Sequence, residues 1–158
     1  MITLTSTDHI NTSPDRVWYF LTHLHEGDRY HKWHPVDHIL WQLKSGDSES
    51  VGSTYYFEEM IGNKKLAAGF RLNKVEKGSY LEYGSNGLPL PSDIVLIAFE
   101  LKPLDKNRTE LIATVRIGYN LPIIGNIVDW IARRLYDMAA VKKHMQEEGS
   151  YLNKALDG

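Results

Sequence analysis

Three histidines, an aspartate and a tryptophan share the eight positions of HKWHPVDH, residues 31–38, and a histidine and a glutamate stand four apart in HMQEE, residues 144–148. Imidazole nitrogens and carboxylate oxygens are ligands for a borderline divalent ion. With no cysteine in the 158 residues, a metal must be held by nitrogen and oxygen alone. Zinc is the first choice for such a set, and iron, manganese and cobalt are compatible with it. Pro35 forbids a helix running through His34 and His38, so the segment is expected to turn into a strand that presents His38 inward. Asp37 or a backbone carbonyl would then orient one nitrogen of that ring. His31 and His34 fall outside the ligand set, and Trp33 is expected in the core.

A lone histidine and glutamate one helical turn apart are most often a surface hydrogen-bonded pair, so their surroundings decide. At about 100° per residue, Ile127, Trp130, Met138, Val141, Met145 and Leu152 form one apolar stripe of a C-terminal helix. Glu148 falls inside that stripe, His144 on its edge, and Glu147 points away to solvent. A carboxylate facing an apolar cavity is costly unless it is protonated, paired or bound to a metal. A second carboxylate comes from STYYFEEMI, residues 53–61, where alternate residues face opposite ways. Glu59 is favoured because it shares a face with Tyr55, Phe57 and Ile61, and Glu58 is the open alternative. His38, Glu59, His144 and Glu148 can therefore converge from three distant segments.

The elements that must position these groups follow from pattern and turn chemistry. A strand over 2–8 precedes Ser13-Pro14, a hydroxyl cap followed by a proline suited to the first helical position. Strand-like runs follow at 38–44, 53–61, 65–76, 79–84, 93–102 and 109–119, separated by turn residues such as Gly62-Asn63, Lys77-Gly78 and the NGLPLPS segment. A long helical pattern closes the chain from about 123 to 156. Consecutive strands with short connections imply an antiparallel meander with one half-buried face, and the amphipathic helix is its cover.

The composition suits a single domain over 1–158: 42% hydrophobic, 24% charged, four tryptophans. A net charge of −2 leaves no electrostatic footprint for nucleic acid. The start MITLTSTDHINTS lacks a basic leader and an apolar core, so the expected location is cytoplasmic. The longest apolar stretch, LPIIGNIVDWIA, is too short and interrupted for stable membrane insertion.

The element order, with SPDRVWYFL after the first strand and VGSTYYFEE further on, resembles the START, Bet v 1 and polyketide-cyclase (SRPBCC) superfamily. The resemblance implies an α+β helix-grip fold: about seven curved antiparallel strands wrapped around a long C-terminal helix, with one or two short helices after the first strand. It also implies a cavity for a hydrophobic small molecule, with Tyr55, Phe57, Val141 and Met145 among its walls. The combination of WHPVDH, FEE and HMQEE is similar to the metal quartet of the phloretin and diacetylphloroglucinol hydrolases, which cleave a carbon–carbon bond between an aromatic ring and an acyl group. That likeness assigns His38, Glu59, His144 and Glu148 as ligands of one divalent metal. This chain is about half as long as those hydrolases, so their substrate specificity is not carried over. Their acid and base residues have no clear counterpart, and Tyr30, His34, Asp37, Tyr83 and Tyr119 are candidates by residue type. The enzymatic expectation is a metal-dependent hydrolase acting on an acyl-aromatic or β-dicarbonyl compound. The alternative is a non-catalytic carrier or sensor of a hydrophobic ligand, lipid or polyketide-like.

Overall fold

The computed structural model describes residues 1–87, 90–119, 124–135 and 137–157. Residue 123, where the last helix is expected to begin, and residues 88–89 of the NGLPLPS segment lie outside the described residues. Alternating apolar and polar residues build seven strands: β1 Ile2–Ile10, β2 His38–Ser45, β3 Thr54–Ile61, β4 Lys64–Glu76, β5 Tyr80–Ser85, β6 Val95–Asp105 and β7 Arg108–Ile117. All pairings are antiparallel, in the order β1-β7-β6-β5-β4-β3-β2, which leaves β1 and β2 as edges. Two short helices follow β1: α1 Pro14–Thr22 and α2 Arg29–Trp33. The Ser13 hydroxyl accepts the Arg16 N–H at 3.4 Å and caps α1. The chain leaves α2 at His34, since the residue before Pro35 is driven out of helical geometry.

The C-terminal helical region covers the sheet as expected but is divided: α3 Ile124–Leu135 and α4 Met138–Leu156. The Asp137 side chain accepts the N–H groups of Ala139 and Ala140 at 2.9 and 3.2 Å, which starts a new helix there. This corrects the single helix expected over 123–156 and the single apolar stripe drawn along it. Val141, Met145 and Leu152 are buried as expected, whereas Ile127 and Trp130 are 56% and 63% exposed. The helical phase that places residues around α4 does not carry back through the cap. α3 is instead anchored by Ala132 against Ile2 and Ile117.

The core lies between the sheet and α4, with Phe57, Phe70, Leu72, Leu81 and Leu101 facing Val141, Met145, Leu152 and Leu156. Gly149 permits the closest approach, because a β-carbon there would collide with the Asp8 carboxyl of β1. Among the described residues, no helix is long and apolar enough to cross a membrane.

Candidate metal centre

An irregularity at the sheet edge directs the first histidine inward. In the β2–β3 ladder Trp41 faces Phe57, and His38 faces Glu59. Three residues on β2 therefore span the same distance as two on β3, which is a bulge at Ile39 and Leu40. Strict alternation from inward Trp41 would turn His38 to solvent. The extra residue returns it to the concave face, and Ile39 and Leu40 take the exposed positions. Across the ladder, Glu59 continues the buried face of Tyr55 and Phe57. Glu58 lies on the other face, where Lys65 pairs with it at 2.6 Å and the Tyr56 hydroxyl donates to it at 2.8 Å. The alternative between Glu58 and Glu59 is settled in favour of Glu59 as the inward residue.

His144 and Glu148, one turn apart on α4, meet this pair. His38 Nε2 lies 3.2 Å from Glu148 Oε1 and 3.8 Å from Glu59 Oε2, and His144 Nε2 lies 3.4 Å and 3.7 Å from the same two atoms. Four atoms at about 2.0–2.1 Å around a tetrahedral zinc would be separated by about 3.3–3.4 Å. The four histidine–carboxylate spacings bracket that value, and His38, Glu59 and His144 present ligand atoms that all lie within 4.8 Å of one another. The tautomers agree with it. His38 Nδ1 is 3.0 Å from the Tyr30 carbonyl, an acceptor only, so Nδ1 carries the proton and a neutral ring turns a bare Nε2 toward the carboxylates. His144 Nδ1 likewise donates to Asp37 Oδ2 at 2.8 Å. Hydrogen bonding at one ring nitrogen to fix the other for coordination is the usual setting of a metal-ligating histidine. His38 Nε2 is buried without a hydrogen-bond partner despite its acidic neighbours, so the donor set fits a cation between them.

Electrostatics show the same demand for positive charge. Burial by itself would lower the His144 pKa, but the hydrogen bond and charge of Glu148, with Glu59 and Asp37, outweigh it and raise it to about 10. Burial would raise Glu148, yet the two imidazoles beside it bring it down to about 2. Burial dominates at Glu59, which is raised despite both histidines. In the absence of a metal, a proton on His144 supplies the missing cation.

α2 braces the cluster. The Tyr30 ring stacks on His38 at 3.9 Å with planes 4° apart, and its hydroxyl donates to Glu59 Oε2 at 2.8 Å. Burial first, then the Glu59 charge, pushes the Tyr30 hydroxyl well above the ordinary phenol range. Trp33 is core as expected, and its indole N–H donates to the Glu148 carbonyl at 3.1 Å. Asp37 orients His144 rather than His38. His34 is fully buried and stacks on His144 with ring centroids 4.8 Å apart. Its Nδ1 accepts the Asp37 N–H at 3.2 Å, so a neutral ring carries its proton on Nε2, facing Asp37 and Glu147 oxygens at 3.5 Å each. That Nε2 is buried without a hydrogen-bond partner, and Glu147 is drawn toward it rather than only to solvent. His31 is exposed and bonds the His38 carbonyl at 2.9 Å.

The cluster opens on an apolar pocket with a cavity volume of about 90 Å³, walled by Phe57, Val141 and Met145 as expected. Tyr55 is not among the lining residues. It is buried, with its hydroxyl donating to the Asp47 carbonyl at 3.3 Å. Two acid/base candidates are not brought to the site: Tyr83 packs edge-on against Trp41 and Tyr55, and the Tyr119 hydroxyl donates to the Ser92 carbonyl at 2.9 Å. Trp41, Ile97, Phe99 and Val115 line the pocket without having been expected to.

No protein-family model matches this sequence, and a search of curated proteins finds no significant match. Solved structures match in fold. The Aha1 dimer from Colwellia psychrerythraea is 18% identical over 99% of this chain and 96% of that one, with a TM-score of 0.62. Major latex-like protein 151 from Panax ginseng is 10% identical over 91% of this chain and 97% of that one, at 0.57. The di-domain ARO/CYC BexL from the BE-7585A biosynthetic pathway is 10% identical over 99% of this chain and 47% of that one, at 0.67. Together with the topology, these likenesses define the class: a Bet v 1-type helix-grip fold.

Proposed function

We propose that this protein binds an uncharged hydrophobic small molecule beside one divalent metal ion, zinc by preference, and hydrolyses a carbon–carbon bond of an acyl-aromatic or β-dicarbonyl compound. The observation that carries the reading is the pair of buried imidazoles, each fixed at Nδ1 and turned with two carboxylates toward one point on the pocket wall. His38, Glu59, His144 and Glu148 would hold the ion, which supplies a Lewis acid for a carbonyl oxygen and lowers the pKa of water. The aromatic walls position the ring and exclude bulk water. Tyr30 lines the same wall, and its hydroxyl donates to Glu59 Oε2, which would hold that carboxylate in place for the ion. The reaction adds water across the acyl–aryl bond, giving a carboxylic acid and an arene with hydrogen on the former acyl-bearing carbon.

Four ligand side chains are also the number that closes a tetrahedral site, and this favours a second reading, a carrier or sensor with a structural ion. Elemental analysis of protein purified without added metal, followed by incubation of the zinc form with a phenyl ketone and a β-diketone, tests both. One ion per chain, absent from His144→Ala, with acid released from either compound supports the hydrolase. One ion with no acid released supports the carrier. No metal in the unaltered chain, even after zinc is offered, removes both forms of the metal reading.

A further inference from the structure

The polar groups of the pocket are gathered at one point: Glu59, Glu148, His144 and Tyr30. Glu59 and Glu148 line it, and Asp37 stands behind His144 at 2.8 Å. Among the described residues no lysine or arginine lines the pocket. One divalent ion would carry two positive charges against three carboxylate side chains, and no lysine or arginine among the described lining residues adds to it, so no surplus is left for an anionic ligand. An anion drawn into this space would lose its water without gaining a partner, and that cost is high in an apolar setting. An uncharged oxygen atom meets no such penalty. Much of the remaining wall is aromatic, with Trp41, Phe57, Phe70 and Phe99 among the lining residues. The cavity of about 90 Å³ is well under the roughly 300–1,000 Å³ usual for drug-sized ligands, which favours one ring over fused polycycles.

We infer that the pocket selects uncharged single-ring compounds bearing one polar group and turns away the corresponding carboxylates. The inference rests on the reading that this pocket is the ligand site, and it holds with or without the metal. In the hydrolytic reading, the acid product is then a poorer ligand than the ketone and leaves. Acetophenone and benzoate share a ring and nearly a size but differ in charge. Each is titrated into the full chain after chelation of divalent ions, and binding is followed by the NMR shifts of the Trp33 and Trp41 indole groups. Chelation separates this test from the metal reading, which elemental analysis judges independently. Acetophenone is expected to bind at least tenfold more tightly. The double variant Glu59→Gln, Glu148→Gln, with dispersed indole signals as proof of folding, should narrow that gap by raising benzoate affinity. Equal or tighter binding of benzoate to the unaltered chain overturns the inference, as does the absence of any shift with either compound at millimolar concentration.

Discussion

His38 and His144 stand apart from the other five histidines of the chain because both turn Nε2 toward Glu59 and Glu148. The Tyr30 carbonyl and the Asp37 carboxylate fix both rings with Nε2 toward Glu59 and Glu148. Asp37→Ala should therefore weaken zinc binding by about 10–100-fold while leaving the fold intact, as measured by competition with a chromophoric chelator. An unchanged affinity would place Asp37 outside the site. The pH dependence has a definite sign. His144, raised from 6.5 to about 10, contributes stability to the metal-free protein that is fully present below about pH 6.5 and is lost as pH rises toward 10. Glu148, lowered from 4.5 to about 2, contributes stability that is present above about pH 4.5 and is lost as pH falls toward 2. Together they support the metal-free protein most between about pH 4.5 and 6.5. Zinc must displace the His144 proton, so the rise in melting temperature on adding zinc should grow as pH increases from about 6.5 to 9. A zinc effect that is flat across this range would show that His144 is not a ligand.

At the level of elements, α4 carries half of the candidate ligands, and its start is set by Asp137. Replacing Asp137 with alanine removes the two N-cap hydrogen bonds and should cost about 1 kcal/mol, read by urea denaturation. His144 lies beyond the first turn, so zinc affinity should stay within about twofold, a difference of roughly 0.4 kcal/mol. A large loss of affinity would mean that α4 is not rigid enough to hold the site without its cap. The seven strands were legible from alternation and turn residues because one face of each is buried and the other is not. The bulge in β2 was not legible: nothing in HILWQLK announces an extra residue, and it appears only when Trp41 and His38 must both face inward opposite Phe57 and Glu59. The division between α3 and α4 was signalled by Asp137, a good capping residue inside a helical pattern, but its neighbours kept the apolar period plausible across it.

For the molecule as a whole, the candidate site joins the paired strands β2 and β3 to α4 across the concave face. An ion bound there binds only the folded chain, so it should stabilise all of it by mass action. At a free zinc concentration 100 times the dissociation constant the gain is about 2.7 kcal/mol, or about 5–10 °C in melting temperature for a chain of this length. Calorimetry of the unaltered chain and of His144→Ala, each with and without zinc, checks it. Stabilisation that persists in His144→Ala would place the ion elsewhere on the protein.

The sequence by itself determined the order of elements, the inward face of each strand and the ligand-type residues that those faces carry, because hydrophobic periodicity is local and burial follows from it. One-face arguments and the resemblance together named His38, Glu59, His144 and Glu148, and the resemblance named Tyr55, Phe57, Val141 and Met145 as pocket walls, of which Tyr55 does not line the pocket. Only the tertiary structure decided which of the candidates meet. Tyr30, a candidate by residue type alone, stacks on His38, whereas Tyr83 and Tyr119 find partners elsewhere. His34 and His38, four residues apart, take opposite tautomers because one accepts an amide N–H and the other donates to a carbonyl. Those partners come from the turn at 34–37 and from α2 folding back on β2, and proximity of that kind is not encoded in any local period.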